Sequence, residues 1–401
     1  MSDKNLELNI RKIMDRVEAQ KDQENIPVFK PLLEEEELAS IVEALAVGWL
    51  GMGSYVGEFE RMIREYCEIP DDKYLACVNT GHSANHVAMV LAGLGPGDEV
   101  ITPSFNNVSD FQAIIQTGAT PVLCDVDDET LCIDLDKAEE LINENTKMII
   151  AMDYALRLCD HDRVQALAEK HNLRVLHDAA HSFGFRYKGK MVGSFSDMTM
   201  LSFDPIKNIT AIDAGVLVVS NEEDYRKLCA MRYLGTEQNK DVLYTNKRSW
   251  TYDVKDVGFR YHLANSHAAI GIENLKKIHI VKSSRIAASK IYDEMLAPLD
   301  GEHIRLCKVP KYDDTIPFIY YMRVLNGKRD ELREFLSTKN IDSGVHWQPG
   351  HWFTYLKDVP KGDLTYTERV GEEIMSVPLF SKITEEQVRR SAEAVIEFFK
   401  K

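Results

Sequence analysis

Two residues of opposite charge could do chemistry together in the stretch from 173 to 220. Asp178 follows the apolar run 173–176, and Lys207 follows a second apolar run, 198–201. Short apolar runs bounded by Gly and Pro are typical of buried strands. Both side chains are therefore expected just past strand ends, where α/β sheets place their reacting groups.

A carboxylate and an amine at one sheet edge suit pyridoxal phosphate. In such a site the lysine forms a Schiff base with the cofactor aldehyde, and the aspartate pairs with the pyridine nitrogen. Spacing alone leaves another reading open, in which Lys207 is a surface lysine and Asp178 caps a helix.

Two other segments could bind ligands. Gly81-His82-Ser83 lies where a predicted strand enters a helix, and free N–H groups at a helix start can hold phosphate. A simple turn between strand and helix explains the same letters. The aromatic segment 344–353 holds His346 and His351, which could line a sugar or base pocket or be structural loop residues.

Rival catalytic signatures are missing from the sequence. GLGPGDEV precedes a strand, which is the reverse of the dinucleotide fingerprint, and YKGKM lacks the spacing of a phosphate-binding Walker loop. There is no HExxH zinc helix, and neither Ser182 nor Ser202 lies in a nucleophile elbow. We therefore predict no metal site.

From Tyr74 onward, predicted strands and helices alternate regularly along the chain, and these elements must position the residues named above. Such alternation predicts an α/β fold with a mostly parallel central sheet and helices on both faces. The predicted organisation is an N-terminal helical arm (1–25), a large domain (26–280) and a smaller α+β C-terminal domain (281–401). Predicted helices include 5–24, 83–94, 109–117, 160–172, 222–232, a long one that ends near Leu296 after a run beginning at Leu263, 330–338 and 384–400. Predicted strands include 74–78, 99–102, 317–325 and the runs named above.

The composition of the chain limits which partners and which cell compartment are expected. The chain has 401 residues and a formal net charge of −16, which disfavours non-specific binding to nucleic acid or an anionic membrane. Its seven cysteines are scattered without a CxxC pair, as expected for reduced core residues. The sequence shows neither a signal-peptide core nor an apolar run of transmembrane length, so we predict a cytoplasmic protein.

Eight segments of the chain match one family in the same order along the sequence. Over residues 26–400 the chain resembles the DegT/DnrJ/EryC1/StrS family of sugar aminotransferases. These are pyridoxal phosphate enzymes of the aspartate aminotransferase fold (fold type I). The matching segments are IPVFKP, GWLGMGSYVGEFE, GLGPGDEVITPSF, GATPVLCDVD, HDAAHSFG, SFDPIKNIT, GFRYHLANSHAAIG and SVPLFSKITEEQ.

The resemblance implies a role for each matching residue near the cofactor ring. Lys207 carries the Schiff base and moves a proton between substrate and cofactor. Asp178 keeps the pyridine nitrogen protonated, so that the ring accepts electrons. Ala180 packs on a ring face, and His181 approaches the cofactor hydroxyl.

The resemblance also implies a phosphate site and a homodimer. Gly81, His82 and Ser202 are expected to bind the phosphate. In this family the segment equivalent to GFRY reaches the phosphate from the neighbouring subunit, which points to Arg260 and to active sites shared by two chains.

Four departures from the family pattern put the substrate in doubt. His82 stands where Thr is usual, Asn107 where an aromatic covers the ring, and Arg260 where Asn is usual. Asp-Ala-Gly (213–215) replaces Glu-Gly-Gly. Phe105, Phe111 or the substrate could cover the ring face instead, and residues expected to contact substrate are Trp49, Asn107, His346 and His351.

The predicted function is transfer of an amino group, from L-glutamate, to a nucleotide-linked keto-sugar for polysaccharide, glycan or antibiotic-sugar biosynthesis. One alternative is a sugar dehydratase of the same family, although those enzymes carry His in place of the lysine. The other is a non-catalytic relative that regulates or assembles, which His82 and Asn107 keep open.

Overall fold

The structure is a computed structural model. It describes residues 3–18, 25–237, 242, 244–247, 250–307 and 312–400. The predicted N-terminal helix is present as α1 (Asp3–Glu18). Its predicted continuation through 19–24 lies outside the described residues.

A seven-stranded sheet forms the centre of the molecule, in the order β1-β9-β8-β5-β4-β2-β3. Only β9 runs antiparallel to its neighbours, so the predicted mostly parallel sheet is confirmed. The strands are β1 (Tyr74–Val78), β2 (Glu99–Pro103), β3 (Thr120–Cys124), β4 (Thr146–Met152), β5 (Arg174–Asp178), β8 (Met198–Ser202) and β9 (Gly215–Val219), and a small hairpin of β6 (Arg186–Tyr187) and β7 (Lys190–Met191) lies between β5 and β8.

Connection lengths explain these directions. Helix α5 (Val108–Gln116) joins the neighbouring strands β2 and β3, and helix α7 (His161–His171) joins the neighbours β4 and β5, as crossovers that connect parallel strands do. No helix joins β8 to β9, so the chain turns back through the loop 203–214 and β9 runs antiparallel. That loop therefore lies at the carboxyl end of β8, the same edge at which β5 ends.

Helices cover both faces of the sheet and bury it. The strands are almost wholly buried, as expected for a sheet with helices on both sides. The remaining helices through the sheet region are α2 (Glu35–Ala46), α3 (Ser54–Tyr66), α4 (Gly81–Leu91), α5 (Val108–Gln116), α6 (Leu135–Glu140), α7 (His161–His171) and α8 (Glu222–Met231), followed by the short pair β10 (Thr236–Glu237) and β11 (Asp253–Val254).

The C-terminal part has a separate antiparallel sheet of three strands, β12-β13-β14. The predicted long helix ending near Leu296 is present as a 19-residue helix that ends at Leu296, and a separate 12-residue helix precedes it. The division into domains stays a prediction; its boundary at 280/281 falls in the first turn of α10. The elements are α9 (Asn265–Lys276), α10 (Ile278–Leu296), β12 (Ile304–Leu306), β13 (Tyr320–Val324), α11 (Arg329–Ser337), α12 (Thr365–Glu373), β14 (Ile374–Val377) and α13 (Glu385–Phe399).

Among the described residues, no helix has the length and apolar composition that crossing a bilayer requires.

A substitution at Gly215 tests how closely the backbone of β9 approaches the start of α4. A Cβ at this position would lie 2.2 Å from the Thr80 carbonyl oxygen and 2.8 Å from the Gly81 nitrogen. We expect Gly215→Ala to lower the free energy of unfolding by about 1–3 kcal/mol, because rigid backbone faces the added methyl group. Urea unfolding of the purified variant measures this.

Gly95→Ala is the matched control, since a Cβ there meets no atom within 4 Å. Equal stability of the two variants would contradict the tight contact between β9 and α4.

Candidate active site

The carboxyl ends of β5 and β8 border a cavity of about 400 Å³. It collects side chains from α4, α5, three strands and the loop 203–214. Lining residues are Thr80, Gly81, His82, Asn85, Asn107, Ser109, Met152, Asp178, Ala180, His181, Met200, Ser202, Asp204, Ile206, Lys207, Asp213 and Trp347.

Asp178 is the last residue of β5 and is 3% exposed. Its Oδ1 accepts a hydrogen bond of 2.9 Å from the Ala180 amide. Burial raises the pKa of Asp178 above its ordinary value, and the Ala180 amide, the Lys207 ammonium and the Asp110 carboxyl offset only part of this shift. These three partners favour the carboxylate form, which can pair with a cationic group in the cavity.

Asp110 is a second buried carboxyl group beside Asp178, and the sequence analysis did not identify it. It is 0% exposed. Asn85 donates to its Oδ1 at 2.5 Å, and Asn106 donates to its Oδ2 at 2.7 Å. Burial, and then the neighbouring Asp178, raise the pKa of Asp110 well above its ordinary value.

The loop 203–214 presents Lys207 to the cavity from the neighbouring strand. The Phe203 amide donates to the Ala214 carbonyl at 2.9 Å and closes the base of the loop. Within it, the Lys207 amide donates to the Asp204 carbonyl at 3.0 Å. This turn fixes where the lysine side chain leaves the backbone.

The Lys207 amine lies in a setting that favours its neutral form. Burial lowers its pKa to about 8, although Asp178 and Asp204 oppose the shift. Its Nζ is 4.4 Å from the centroid of the Phe318 ring. At pH 7 the amine is still mostly an ammonium, but about a tenth of it is neutral and nucleophilic, far more than for a lysine with the ordinary pKa of 10.5.

His181 is held in one tautomer. Its Nδ1 accepts a hydrogen bond of 3.2 Å from the Ala155 amide, which leaves the proton on Nε2. Burial, with Lys207 and His346, lowers its pKa well below the ordinary value. The neutral ring lines the cavity as a hydrogen-bond donor.

The opposite end of the cavity is the start of α4. The first amides of a helix lack intrahelical partners, so Gly81 and His82 present N–H groups there. A Cβ at Gly81 would lie 3.1 Å from Ser202 Oγ, which shows how closely this hydroxyl approaches the helix start. An anion bound here would meet amides, a hydroxyl and the positive end of the helix dipole.

The two unusual residues at this end both line the cavity. His82 contacts Ser109 through Nδ1 (3.1 Å to Oγ) and Gln116 through Nε2 (3.2 Å). Asn107 caps α5, where its Oδ1 accepts from the Ser109 amide at 2.9 Å. The side-chain oxygen of Asn107 is thus occupied in capping the N-terminus of α5.

The structure places four predicted residues outside the cavity lining. Arg260 is exposed, with its guanidinium 6.0 Å from the Tyr233 ring. Trp49 donates to the Met52 carbonyl at 2.8 Å. His351 pairs with Ser104 Oγ (2.9 Å), and His346 pairs with Ser376 Oγ (3.0 Å).

His346 nevertheless borders the lysine. Burial and then Lys207 lower its pKa to about 4, so the ring is neutral at physiological pH.

Two of the lining residues that were not predicted as site residues, Trp347 and Asp213, have polar groups that could bind a ligand. Trp347 stacks on His181 at 5.9 Å between ring centroids, and its buried Nε1 has no partner among the described residues. Burial raises the pKa of Asp213 to about 6, with Asp204 adding to the shift. Asp213 is noted in the sequence only as a departure from the family pattern; its acidic side chain just before the apolar run that begins at Gly215 was the available signal.

A hydrogen-bonded network supports β5 from behind. The Asp153 carboxylate accepts from His177 (2.6 Å), His161 (3.0 Å) and Ser182 (2.6 Å), and all four residues are buried. Burial opposes ionisation of Asp153, but the two histidines lower its pKa below the ordinary value. Two residues of this network, His177 and Ser182, lie on either side of Asp178 in the sequence.

These features fit pyridoxal phosphate. The start of α4 can bind an anion such as phosphate, and the loop 203–214 supplies the Lys207 amine. The buried carboxylate of Asp178 suits a pyridinium nitrogen. The neutral Nε2–H of His181 suits the ring hydroxyl. Buried Asn85 Oδ1 has no partner among the described residues, which adds an acceptor at the same wall.

Comparison with known proteins identifies the family. The model of the DegT/DnrJ/EryC1/StrS aminotransferase family matches residues 31–396. The uncharacterized protein MJ1066 of Methanocaldococcus jannaschii is 32% identical over 368 residues, covering 90% of this chain and 95% of the relative.

Solved structures agree with this match. The aminotransferase TlmJ of Streptoalloteichus hindustanus superposes with a TM-score of 0.87 at 27% identity, covering 94% of this chain and 99% of the other. Spr1654 of Streptococcus pneumoniae in its PMP form gives 0.85 at 26% identity, covering 92% and 98%. The predicted fold, enzyme class and cofactor are confirmed. The chain belongs to the DegT/DnrJ/EryC1/StrS aminotransferase family, whose members are pyridoxal phosphate-dependent sugar aminotransferases.

Proposed function

We propose that this enzyme transfers an amino group from L-glutamate to a nucleotide-linked keto-sugar, with Lys207 and Asp178 as its catalytic residues. The observation that carries the proposal is the buried amine and carboxylate in one cavity with a helix start. When bound, pyridoxal phosphate supplies an aldehyde for the amino group and a ring that accepts electrons.

Lys207 is proposed as both nucleophile and proton carrier. Its depressed pKa lets Nζ release and accept a proton near neutral pH, which suits general acid–base work. The turn at Asp204 and the Phe318 ring orient the side chain. Nζ can therefore take a proton from the substrate carbon and return it without leaving the cavity.

Asp178 is proposed to hold the proton on the pyridine nitrogen. A carboxylate in a water-poor cavity stabilises a pyridinium more strongly than water does. Gly81, His82 and Ser202 hold the phosphate, Ala180 faces the ring and His181 donates to the ring hydroxyl. These contacts fix the ring between the lysine and the aspartate.

A groove of about 970 Å³ next to the cavity is the proposed binding site for the nucleotide part of the substrate. Ile206 lines both this groove and the cavity, and Phe29, Arg329 and Arg333 also line the groove. The Nε of Arg333 is buried without a partner among the described residues. A guanidinium of this kind suits a diphosphate.

An acceptor screen tests the proposed function. The pyridoxamine form of the enzyme is mixed with nucleotide-linked keto-sugars and with the same sugars without the nucleotide. We expect amino-sugar formation, measured by mass spectrometry, with nucleotide-linked acceptors at much lower concentrations. Turnover of none of the keto-sugars, or equal use of the free sugars, would contradict the substrate assignment.

Asp178→Asn should keep the fold and reduce turnover by at least about 100-fold, because a neutral amide cannot stabilise the pyridinium charge. Single-turnover kinetics with L-glutamate measure the loss, and circular dichroism checks the fold. A variant that reacts at the parental rate would show that the aspartate has only a structural role.

The pH dependence of Lys207 follows from its burial. The neutral amine is the reactive form, so its fraction rises with pH through a midpoint near 8 and not near the ordinary 10.5. Competitive acetylation of the cofactor-free enzyme, followed by mass spectrometry of the Lys207 peptide, measures this midpoint. A midpoint near 10.5 would contradict the proposed activation by burial.

A cross-subunit role for Arg260 is also proposed, with a homodimer as the assembly. Arg260 is exposed and follows a segment of exposed apolar side chains, including Trp250 (83%) and Val257 (76%). Such a surface suits a second copy of the chain. We expect Arg260→Ala alone to be inactive, as Lys207→Ala is.

Mixing these two inactive variants tests the shared site. Random reassembly of equal amounts makes half of the dimers mixed, and one of their two sites carries neither defect. Activity should return to about a quarter of the wild-type value. Mixed dimers that assemble and stay inactive would place Arg260 in its own chain's site or outside both.

A further inference from the structure

The contact between Lys207 and Phe318 identifies a residue of the C-terminal part that acts through the lysine. Phe318 lies two residues before β13 and is 1% exposed. We propose that Phe318 is a positioning residue: the face of its ring holds the Lys207 ammonium at the cavity wall whenever the amine is not bonded to the cofactor. This inference rests on the role of Lys207 in the proposed function.

Aromatic neighbours fix the Phe318 ring. It stacks on the Phe29 ring with 5.6 Å between the centroids and 12° between the planes. The His181 ring lies 4.7 Å away and is tilted by 43°. The Lys207 Nζ lies over the Phe318 ring, 4.4 Å from its centroid, which is within the range of a cation–π interaction. The ring therefore presents its electron-rich face to the amine from a fixed position.

Arg285 in α10 anchors the backbone at Phe318. Its Nη1 donates to the carbonyl oxygens of Phe318 at 3.0 Å, Pro317 at 3.3 Å and Leu379 at 3.4 Å. The guanidinium is buried, and a buried charge is costly unless hydrogen bonds surround it. Moving this backbone segment would break bonds that the buried cation needs, so the segment is held in place.

Asn208 joins the loop of the lysine to the same segment. This residue follows Lys207 directly and is buried, and its Nδ2 donates to the Ile316 carbonyl at 2.9 Å. The backbone next to Lys207 and the end of its side chain therefore both contact the segment 316–318. The distance between the ring and the amine is consequently set at two points.

The ring acts together with the titratable groups that face Lys207 among the described residues. Asp178 at the end of β5 and Asp204 in the loop favour the ammonium form, whereas burial favours the neutral amine. His181 and His346 are neutral near pH 7, because burial and the lysine lower the pKa of each ring. An aliphatic side chain in place of the ring leaves all four groups present and removes the attraction between ring and ammonium.

Phe318→Leu tests this attraction, because leucine is apolar but has no ring face. The measured quantity is the pH midpoint for acetylation of Lys207 in the cofactor-free enzyme, which follows the balance between ammonium and neutral amine. We expect the midpoint to lie about 0.5–1 pH unit below that of the parental enzyme, since the variant stabilises the ammonium less. A side chain that only fills space would leave the midpoint unchanged.

Phe185→Leu is the matched control. Phe185 is 0% exposed, and among the described residues no cationic side chain lies over its ring. We expect this variant to keep the parental midpoint. Thermal unfolding of the cofactor-free variants checks that they fold, and Phe318→Met, which also lacks a ring, replaces the leucine variant if that one does not fold.

The outcomes are distinct. An unchanged midpoint in the Phe318 variant, a raised midpoint, or an equal fall in Phe185→Leu would each overturn the inference. A raised midpoint would show that the ring acts only by excluding water. A midpoint near 10.5 in the parental enzyme would instead contradict the activation of Lys207 by burial, which belongs to the proposed function.

Discussion

Folding removes the Asp178 carboxylate from water, and the active site is arranged to compensate that one buried charge. A lone buried carboxylate is costly and would take up a proton instead. Here the Ala180 amide bonds to it at 2.9 Å and the Lys207 ammonium shares its cavity. The same arrangement lowers the cost of binding a pyridinium, since the negative charge is already in place before the cofactor arrives. Stability and chemistry therefore depend on the same carboxylate.

Sheet topology brings the charged groups together. Because β5 and β8 are parallel neighbours, Asp178 and the loop that carries Lys207 emerge at the same edge. The antiparallel return of β9 then lets that loop stay short, and Gly215 lets the strand pass beside the start of α4. The phosphate end and the reacting end of the cavity are consequently fixed by one set of strands. The aspartate, the lysine and the anion cradle need no separate scaffold.

Part of this arrangement could be predicted from the sequence. The apolar runs that precede Asp178 and Lys207 indicated strand ends, and the segment before His82 indicated a helix start, because each signal is local. The burial of Asp110 could not be predicted, since an acidic residue in the first turn of α5 has an ordinary explanation in the helix dipole. Strands β12 and β14 have three and four residues, too few for a periodic pattern. The positions of Trp49, His346 and His351 depend on how distant loops pack, which letters in one loop do not specify.

Attachment of the cofactor tests the account most directly. The enzyme purified with pyridoxal phosphate is treated with borohydride, which fixes the cofactor to the amine that holds it, and its peptides are then examined by mass spectrometry. The account predicts a pyridoxyl group on Lys207 at close to one per chain. A group on another lysine, such as the exposed Lys188 or Lys190, or no attached group in an enzyme that retains the cofactor, would contradict it.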